Sequence, residues 1–484
     1  MSDTTQHTVC IIGGGMSGLL TGALLAKNGY KVTVLEKNYI IGGGLQSFYR
    51  DGVAFNTGIQ SFAGYAPNMI TLHLCKYLGI DKSLRVLPTD KDAQEIVWLN
   101  KEDCYRLPQG KDAYTNYLTQ QFPDEKVGIE KMMDMIFHIG ESFDYLFNKP
   151  IQRHTDNIPY AYMMADEFIR QYVHNERLIN LLSYIGWTTG HSLKYMQALE
   201  FCMMMTLYII GSHRFIGGSQ QLADILCHII ETYSGCVINN TTITNIEIKD
   251  NKVDYILSDD GKKWRGNCFI WTCAPQLLLH IADVPIFRPA MMQRIEEYAN
   301  TFSCNIVFCK LKSETFKFIN SPVYMPYTSE HQQIPQTMVL ITSPQSGGNV
   351  WAETIEIYIP TAVEDVVRWA NTKVQQRGRD YEEYKSSMAQ EALDNISVFY
   401  PNIKESIDSI TTATALTIRD YYGNPNGAAF SQQGLYIPTK TRISNLFMAG
   451  QAVQNQGLAG IATTSTFLAE VILGRSLIEE IAKA

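Results

Sequence analysis

The stretch from Val9 to Glu36 constrains the fold of this chain more than any other. Val9-Cys10-Ile11-Ile12 has the uncharged, β-branched character of a short strand buried on both faces. It runs into Gly13-Gly14-Gly15-Met16-Ser17-Gly18, an apolar helix, a turn at Asn28-Gly29, and a second strand, Lys31-Val32-Thr33-Val34-Leu35, ending on Glu36. Each part has a physical job. Gly13 permits the tight turn, Gly15 lets backbone approach a pyrophosphate, and Gly18 lets the helix close on the strand. The first helical amides, at Met16 and Ser17, face phosphate without needing a counter-charge. Glu36, with Lys37 beside it, sets a carboxylate where both ribose hydroxyls of an adenine dinucleotide can be accepted. That carboxylate would repel a 2′-phosphate, so the unit is built for FAD or NAD rather than NADP.

At 484 residues the chain is too long for a single core, and two or three domains are expected. With 45% apolar and 18% charged residues it is an ordered globular protein. A net charge of −8 and the lack of any Lys/Arg-rich run exclude a nucleic-acid footprint. The ten cysteines are scattered and form no C-x-x-C, so buried thiols in a reducing compartment are expected, with no metal site. The uncharged run from Val9 to Ala26 could pass for a signal or membrane segment. Its leader, Met1 to Thr8, carries an acid and no basic region, and five glycines interrupt the run. A cytoplasmic protein is expected, with peripheral contact at a membrane surface allowed.

Beyond Glu36 two glycine clusters follow, Gly42-Gly43-Gly44-Leu45 and, after a short apolar segment, Thr57-Gly58. Helical periodicity dominates 67–212, including Met69 to Leu78, Ile129 to Phe147 and the apolar run Leu199 to Ile210 with three adjacent methionines. Ile216-Gly217-Gly218-Ser219 opens a helix through Ile230; strands follow at Cys236 to Ile238, Thr241 to Ile248 and Phe269 to Thr272. A mixed region has strand patterns at Asn305 to Cys309, Thr337 to Ile341 and Glu353 to Ile359, with helices at Ala362 to Arg377 and Tyr381 to Ser397. Asn445 to Gly450, then Gln456 to Gly460 and a helix from Ile461 to Gly474, return to α/β sequence. This order predicts an α/β protein: a discontinuous Rossmann-type FAD-binding domain of the glutathione reductase kind (1–66, 211–274 and 411–484) with an inserted α+β substrate domain (67–210 and 275–410).

Taken together, these motifs resemble the FAD-dependent carotenoid desaturase, carotene isomerase and retinol saturase superfamily over nearly the whole chain, most sharply its retinol saturase side. The resemblance rests on Gly43-Gly44 through Thr57-Gly58-Ile59, on Ile418-Arg419-Asp420-Tyr421 with Pro425-x-Gly427, and on Asn445 to Gln451 with Gly457-Leu458-x-Gly460. It implies that FAD is the cofactor. It further implies that Gly43, Gly44 and Leu45 run beside the pyrophosphate and ribityl chain, and that backbone near Ile243 meets adenine. Gly450 and Gln451 meet phosphate and ribityl, and a helix starting near Gly460-Ile461 aims its positive end at the flavin. Three positions depart from the pattern. Gly44 stands for an Arg, Gln60 for the His after Thr-Gly-Ile, and Asn56 for an Asp, so an acid/base role tied to that His does not carry over.

The resemblance implies hydride transfer at C=C or C–C bonds of an apolar polyene, isoprenoid or retinoid-like lipid: saturation, desaturation or isomerisation. An apolar tunnel lined from the 125–210 helices and the 300–360 strands is expected. Proton-handling candidates are Glu200, Arg419, Tyr421 and Tyr422, Arg as a charge stabiliser and Tyr as a donor. No second G-x-G-x-x-G occurs, so electrons should come from or go to an external donor or acceptor. Two readings compete: a flavin amine oxidase, which would want an aromatic cage that Tyr436 and Phe447 do not clearly supply, and a non-catalytic lipid-binding protein of the GDP-dissociation-inhibitor type.

Overall fold

The strand Thr8–Ile12 is the centre of a five-stranded parallel sheet, in the order Cys236–Ile238, Lys31–Leu35, Thr8–Ile12, Cys268–Trp271, Leu446–Met448. Its strands come from three separated stretches of chain, which makes the Rossmann-type unit discontinuous. The computed structural model describes residues 7–484 except 153, 298–300, 329–330, 332, 346–347, 349, 430–436, 452 and 454–455. Met1 to Gln6 of the leader, and Tyr436, lie outside the described residues.

The helix Met16–Lys27 is buried from Met16 to Ala26, because the sheet lies under it and the helices Gln220–Thr232 and Gly457–Leu473 flank it. A helix apolar all round needs such surroundings. Gly22 permits them: a Cβ there would come within 3.0 Å of Ile230 and 3.3 Å of Ile11.

The second large unit is a seven-stranded sheet ordered Ile407–Ala413, Ser303–Leu311, Ala352–Thr361, Thr337–Pro344, Val323–Pro326, Glu95–Asn100, Asp103–Leu107. All pairings are antiparallel except Val323–Pro326 with Glu95–Asn100. Strand alternation divides it into two faces. Val307, Leu340, Ile355, Ile357 and Ile359 pack with the helix Arg379–Ser397, whereas Ile306, Phe308, Ile341 and Tyr358 join the core shared with the helical region. That region is built on Lys126–Gly140 and Ala198–Ile210, which cross closely because a Cβ on Gly140 would lie 2.0 Å from the Thr206 hydroxyl. No helix among the described residues is long and apolar enough to cross a membrane.

Three expectations are corrected. Ala362 to Arg377 is not one helix: a short 3-10 segment, Val363–Trp369, is followed by turns. The Arg377 guanidinium donates to the Trp369 and Thr372 carbonyls, bonding chain-end groups that helix continuation would have used. The helical pattern from Ile129 ends at Gly140, and Asp144–Phe147 is a separate 3-10 turn. The closing helix begins at Gly457, one turn before Gly460-Ile461; Gln456 is its extended N-cap and Gly457, with φ of +70°, turns the chain into it.

Candidate active site

Two cavities meet at the junction of the parallel sheet and the seven-stranded sheet. The first is lined by Gly15, Met16, Ser17, Gly43, Gly44, Leu45, Thr272, Cys273, Gln451 and Ile461. The second, of about 220 Å³, is lined by Phe62, Leu146, Trp187, Met203, Met204, Leu207, Ile306, Val339, Ile341 and Tyr358, among others. Its walls come from the helices before 210 and the strands after 300, and no charged side chain lines it among the described residues. Gly58, Ile59, Tyr422, Ala429 and Gly457 line both.

The first cavity suits a dinucleotide. Two helices of more than two turns, Met16–Lys27 and Gly457–Leu473, present their N-termini at it, and neither has a side-chain cap or an acid in its first turn. Their open amides and dipoles favour anionic groups. Gly43, at φ +55°, lies against Gly15: a Cβ on Gly43 would approach the Gly15 Cα to 3.1 Å, so a side chain at Gly43 would crowd the Gly15 backbone. Gln456 Oε1 is buried without a partner at the rim of the second cavity, an acceptor available to a ligand donor.

Of the residues expected to bind the cofactor, Gly15, Met16, Ser17, Gly43, Gly44, Leu45, Gln451 and Ile461 line this cavity, and the others act from outside it. Gly13 and Gly18 close the turn, since a Cβ on Gly18 would sit 2.0 Å from the Gly13 carbonyl oxygen. Glu36 accepts from the Gly14 and Asn38 amides, each at 2.8 Å, which holds its carboxylate at the strand end. Lys37 is directed elsewhere: its Nζ donates to the Asp420 carbonyl at 3.1 Å, capping the helix Ala415–Tyr422. Ile243 is a core residue near that strand end, where Thr241 N–H donates to the Glu36 carbonyl at 2.8 Å. Gly450, at φ +118°, packs under the Thr272 carbonyl and brings Gln451 forward. Gly460 borders the apolar cavity instead, and the exposed amides of the closing helix are those of Gly457, Leu458 and Ala459.

The proton-handling candidates are largely displaced. Arg419 lines neither cavity; it donates to the Asp420 carboxylate and, at 2.9 Å, to the Ala370 carbonyl, while Asp420 also pairs with buried Arg377. Tyr421 lines neither cavity, and its carbonyl accepts from Asn38. Glu200 is one turn short of the lining face formed by Met203, Met204 and Leu207. Tyr422 does reach the junction, where its hydroxyl donates to the Thr57 carbonyl at 2.6 Å.

A network that motif reading missed lies on the cavity face of Ala352–Thr361. Tyr358 donates to Glu356 Oε2 at 2.8 Å and accepts from the Gln60 side-chain amide; Glu356 Oε1 accepts from Asn56 N–H at 3.0 Å. Burial pushes the Glu356 carboxyl up to about 7, against the pull of those hydrogen bonds and of the Arg214 charge. The signal was present in the pattern Thr354-Ile355-Glu356-Ile357-Tyr358-Ile359: polar groups at period two inside a core strand.

Residues 11–78 match the family model of the NAD(P)-binding Rossmann-like domain. All-trans-retinol 13,14-reductase of Danio rerio is 24% identical over 96% of this chain and 86% of its own length. Prolycopene isomerase 1, chloroplastic, of an Oncidium hybrid cultivar is 20% identical over 97% of this chain and 84% of its own. Among solved structures, an oxidoreductase from Methanosarcina mazei superposes with a TM-score of 0.68 at 16% identity, over 96% of this chain and 100% of that one. Putrescine oxidase with putrescine bound shares the fold at a TM-score of 0.66 and 15% identity, over 97% of this chain and 99% of that one. From end to end the chain is similar to all-trans-retinol 13,14-reductases and prolycopene isomerases, and it shares its fold with a flavin amine oxidase.

Proposed function

We propose that the chain is an FAD-dependent oxidoreductase or isomerase acting on a C=C or C–C bond of a long apolar polyene, isoprenoid or retinoid-like lipid. The observation that carries this reading is the shared wall of Gly58, Ile59, Tyr422, Ala429 and Gly457, which brings an uncharged apolar cavity against a cavity faced by two open helix N-termini. The relatives named for all-trans-retinol and prolycopene support a polyene, and the Glu36 carboxylate at the strand end supports an adenine dinucleotide. A bound flavin supplies exchange of a hydride with carbon. The chain does the rest: glycine backbone and helix termini hold phosphates and ring, aliphatic and aromatic walls exclude water, and Tyr422 ties the loop at Thr57 to the junction. In this reading 1–66, 211–274 and 411–484 hold the cofactor, 67–210 and 275–410 hold the substrate, and an external carrier exchanges electrons. An ammonium substrate has no carboxylate to meet it among the described lining residues, which weighs against an amine oxidase.

The test is optical. Purified protein should be yellow, release FAD on denaturation, and show anaerobic bleaching or reoxidation of the bound flavin with one member of a panel of retinoids, carotenoids and unsaturated lipids. Colourless protein that cannot be reconstituted with FAD would overturn the reading.

A further inference from the structure

The strand Ala352–Thr361 turns Glu356 and Tyr358 to the same face, two residues apart, toward the apolar cavity. Glu356 is 1% exposed. A carboxyl buried there costs stability that an apolar side chain would not, yet it is held on both oxygens by Asn56 N–H and the Tyr358 hydroxyl. Tyr358 itself lines the cavity, as Tyr422 does, and carries the Gln60 amide N–H on its oxygen. The Tyr422 hydroxyl proton is committed to the Thr57 carbonyl, which has no proton to give back; the 2.8 Å contact between Tyr358 and Glu356 reverses when the carboxyl is protonated, its O–H then donating to the phenol oxygen and freeing the Tyr358 proton.

Resting on the function proposed above, we propose that Tyr358 is the proton donor of the site and Glu356 its proton reservoir. When hydride adds to one carbon of the C=C bond, the neighbouring carbon keeps the π electron pair. It uses that pair to form a C–H bond with the Tyr358 proton, and the Tyr358 O–H bond breaks. The phenolate oxygen is stabilised by the Gln60 N–H, then takes the Glu356 proton. The resulting carboxylate is met by Asn56 N–H and by the Arg214 charge, and water reprotonates Glu356 between turnovers. In the direction that creates a double bond the same steps run in reverse. The reductant is the flavin of the proposed function, recharged by an external two-electron donor, which dithionite replaces in the test.

The groups facing Glu356 are Tyr358 on its own strand, Asn56 and Gln60 on the glycine-rich segment, Arg214 on Ser212–Phe215 and Tyr422 on the helix Ala415–Tyr422; Asp90 acts on Arg214. Burial leaves Glu356 titrating near 7, where an acid both holds and gives up a proton at neutral pH.

The experiment compares wild-type holoprotein with Tyr358→Phe and Glu356→Gln, checking fold by thermal unfolding and flavin content. Turnover of the substrate that reoxidises the flavin should fall about 10²-fold or more in Tyr358→Phe, with dithionite reduction unchanged. The wild-type rate should fall as pH rises through about 7, and Glu356→Gln should lose that limb. Infrared spectra of the substrate-free protein should show a protonated carboxyl band that disappears across the same pH range and is missing in Glu356→Gln. Wild-type turnover and pH profile in both variants, or no such band, overturns the proposal while leaving the function intact. If no substrate reacts with the wild-type flavin, the function reading fails and the proposal falls with it.

Discussion

The Tyr422 hydroxyl donates to the Thr57 carbonyl oxygen at 2.6 Å, joining residues 365 positions apart where the two cavities share a wall. Tyr422→Phe removes the donor and leaves that carbonyl short of a partner, which should cost about 1–3 kcal/mol in urea unfolding. Substrate-dependent flavin change should slow with it. Tyr421→Phe is the control, since Tyr421 borders neither cavity; an equal effect from both variants would remove Tyr422 from the junction.

Glu36→Ala should lower flavin occupancy, measured as the ratio of flavin to protein absorbance. It should also lower stability by about 2–4 kcal/mol, because the Gly14 and Asn38 amides lose a charged acceptor. Unchanged occupancy would contradict the ribose assignment.

Gly43→Ala and Gly52→Ala both place a side chain at positive φ, +55° and +84°. Each should cost about 1 kcal/mol for the backbone alone. Only at Gly43 does the new Cβ meet other backbone, 3.1 Å from Gly15, so only that variant should also lose flavin. Equal flavin content in the two would show that the Gly15–Gly43 approach does not shape the cofactor cavity.

Glu95 is 1% exposed and neither oxygen makes a well-aligned hydrogen bond, although Tyr324 acts on it; burial pushes its carboxyl up to about 8. The protonated form is therefore favoured by folding. Its contribution is fully present below about 4.5 and is lost as pH rises to about 8, on the order of 5 kcal/mol in all. Urea midpoints measured from pH 5 to pH 9 should fall with pH in wild type, and Glu95→Gln should flatten much of that slope.

Arg419 should behave as a brace. Arg419→Ala removes donors to the Asp420 carboxylate and the Ala370 carbonyl, costing about 1–2 kcal/mol, with flavin chemistry retained. Arg377→Met strips the buried partner of Asp420 and should cost about 3–5 kcal/mol. Slowed flavin reaction in a stably folded Arg419→Ala would return Arg419 to the site.

The cofactor half was legible because its requirements are local. Gly13, Gly15 and Gly18 answer to backbone geometry within one strand–turn–helix unit, and Glu36 is placed by the length of that unit. The starting point of the closing helix was less legible, since Gly457 and Gly460 are equally plausible punctuation. Only the extended Gln456 and the turn at Gly457 decide between them.

The opening glycine motif, the strand periods and the closing glycines thus determined by themselves a dinucleotide-binding α/β protein with an apolar insertion. Tertiary structure decided which polar side chains meet beside the cavities. Arg419 is held away from the cavities by its ion pair with Asp420, Tyr421 borders neither cavity, and Glu200 stops one helical turn short of the lining residues. Glu356 and Tyr358 carry no motif. They meet Asn56 and Gln60, some 300 residues earlier, only because the seven-stranded sheet packs against the glycine-rich segment. Contacts of that sequence separation are set by packing, and no local pattern encodes them.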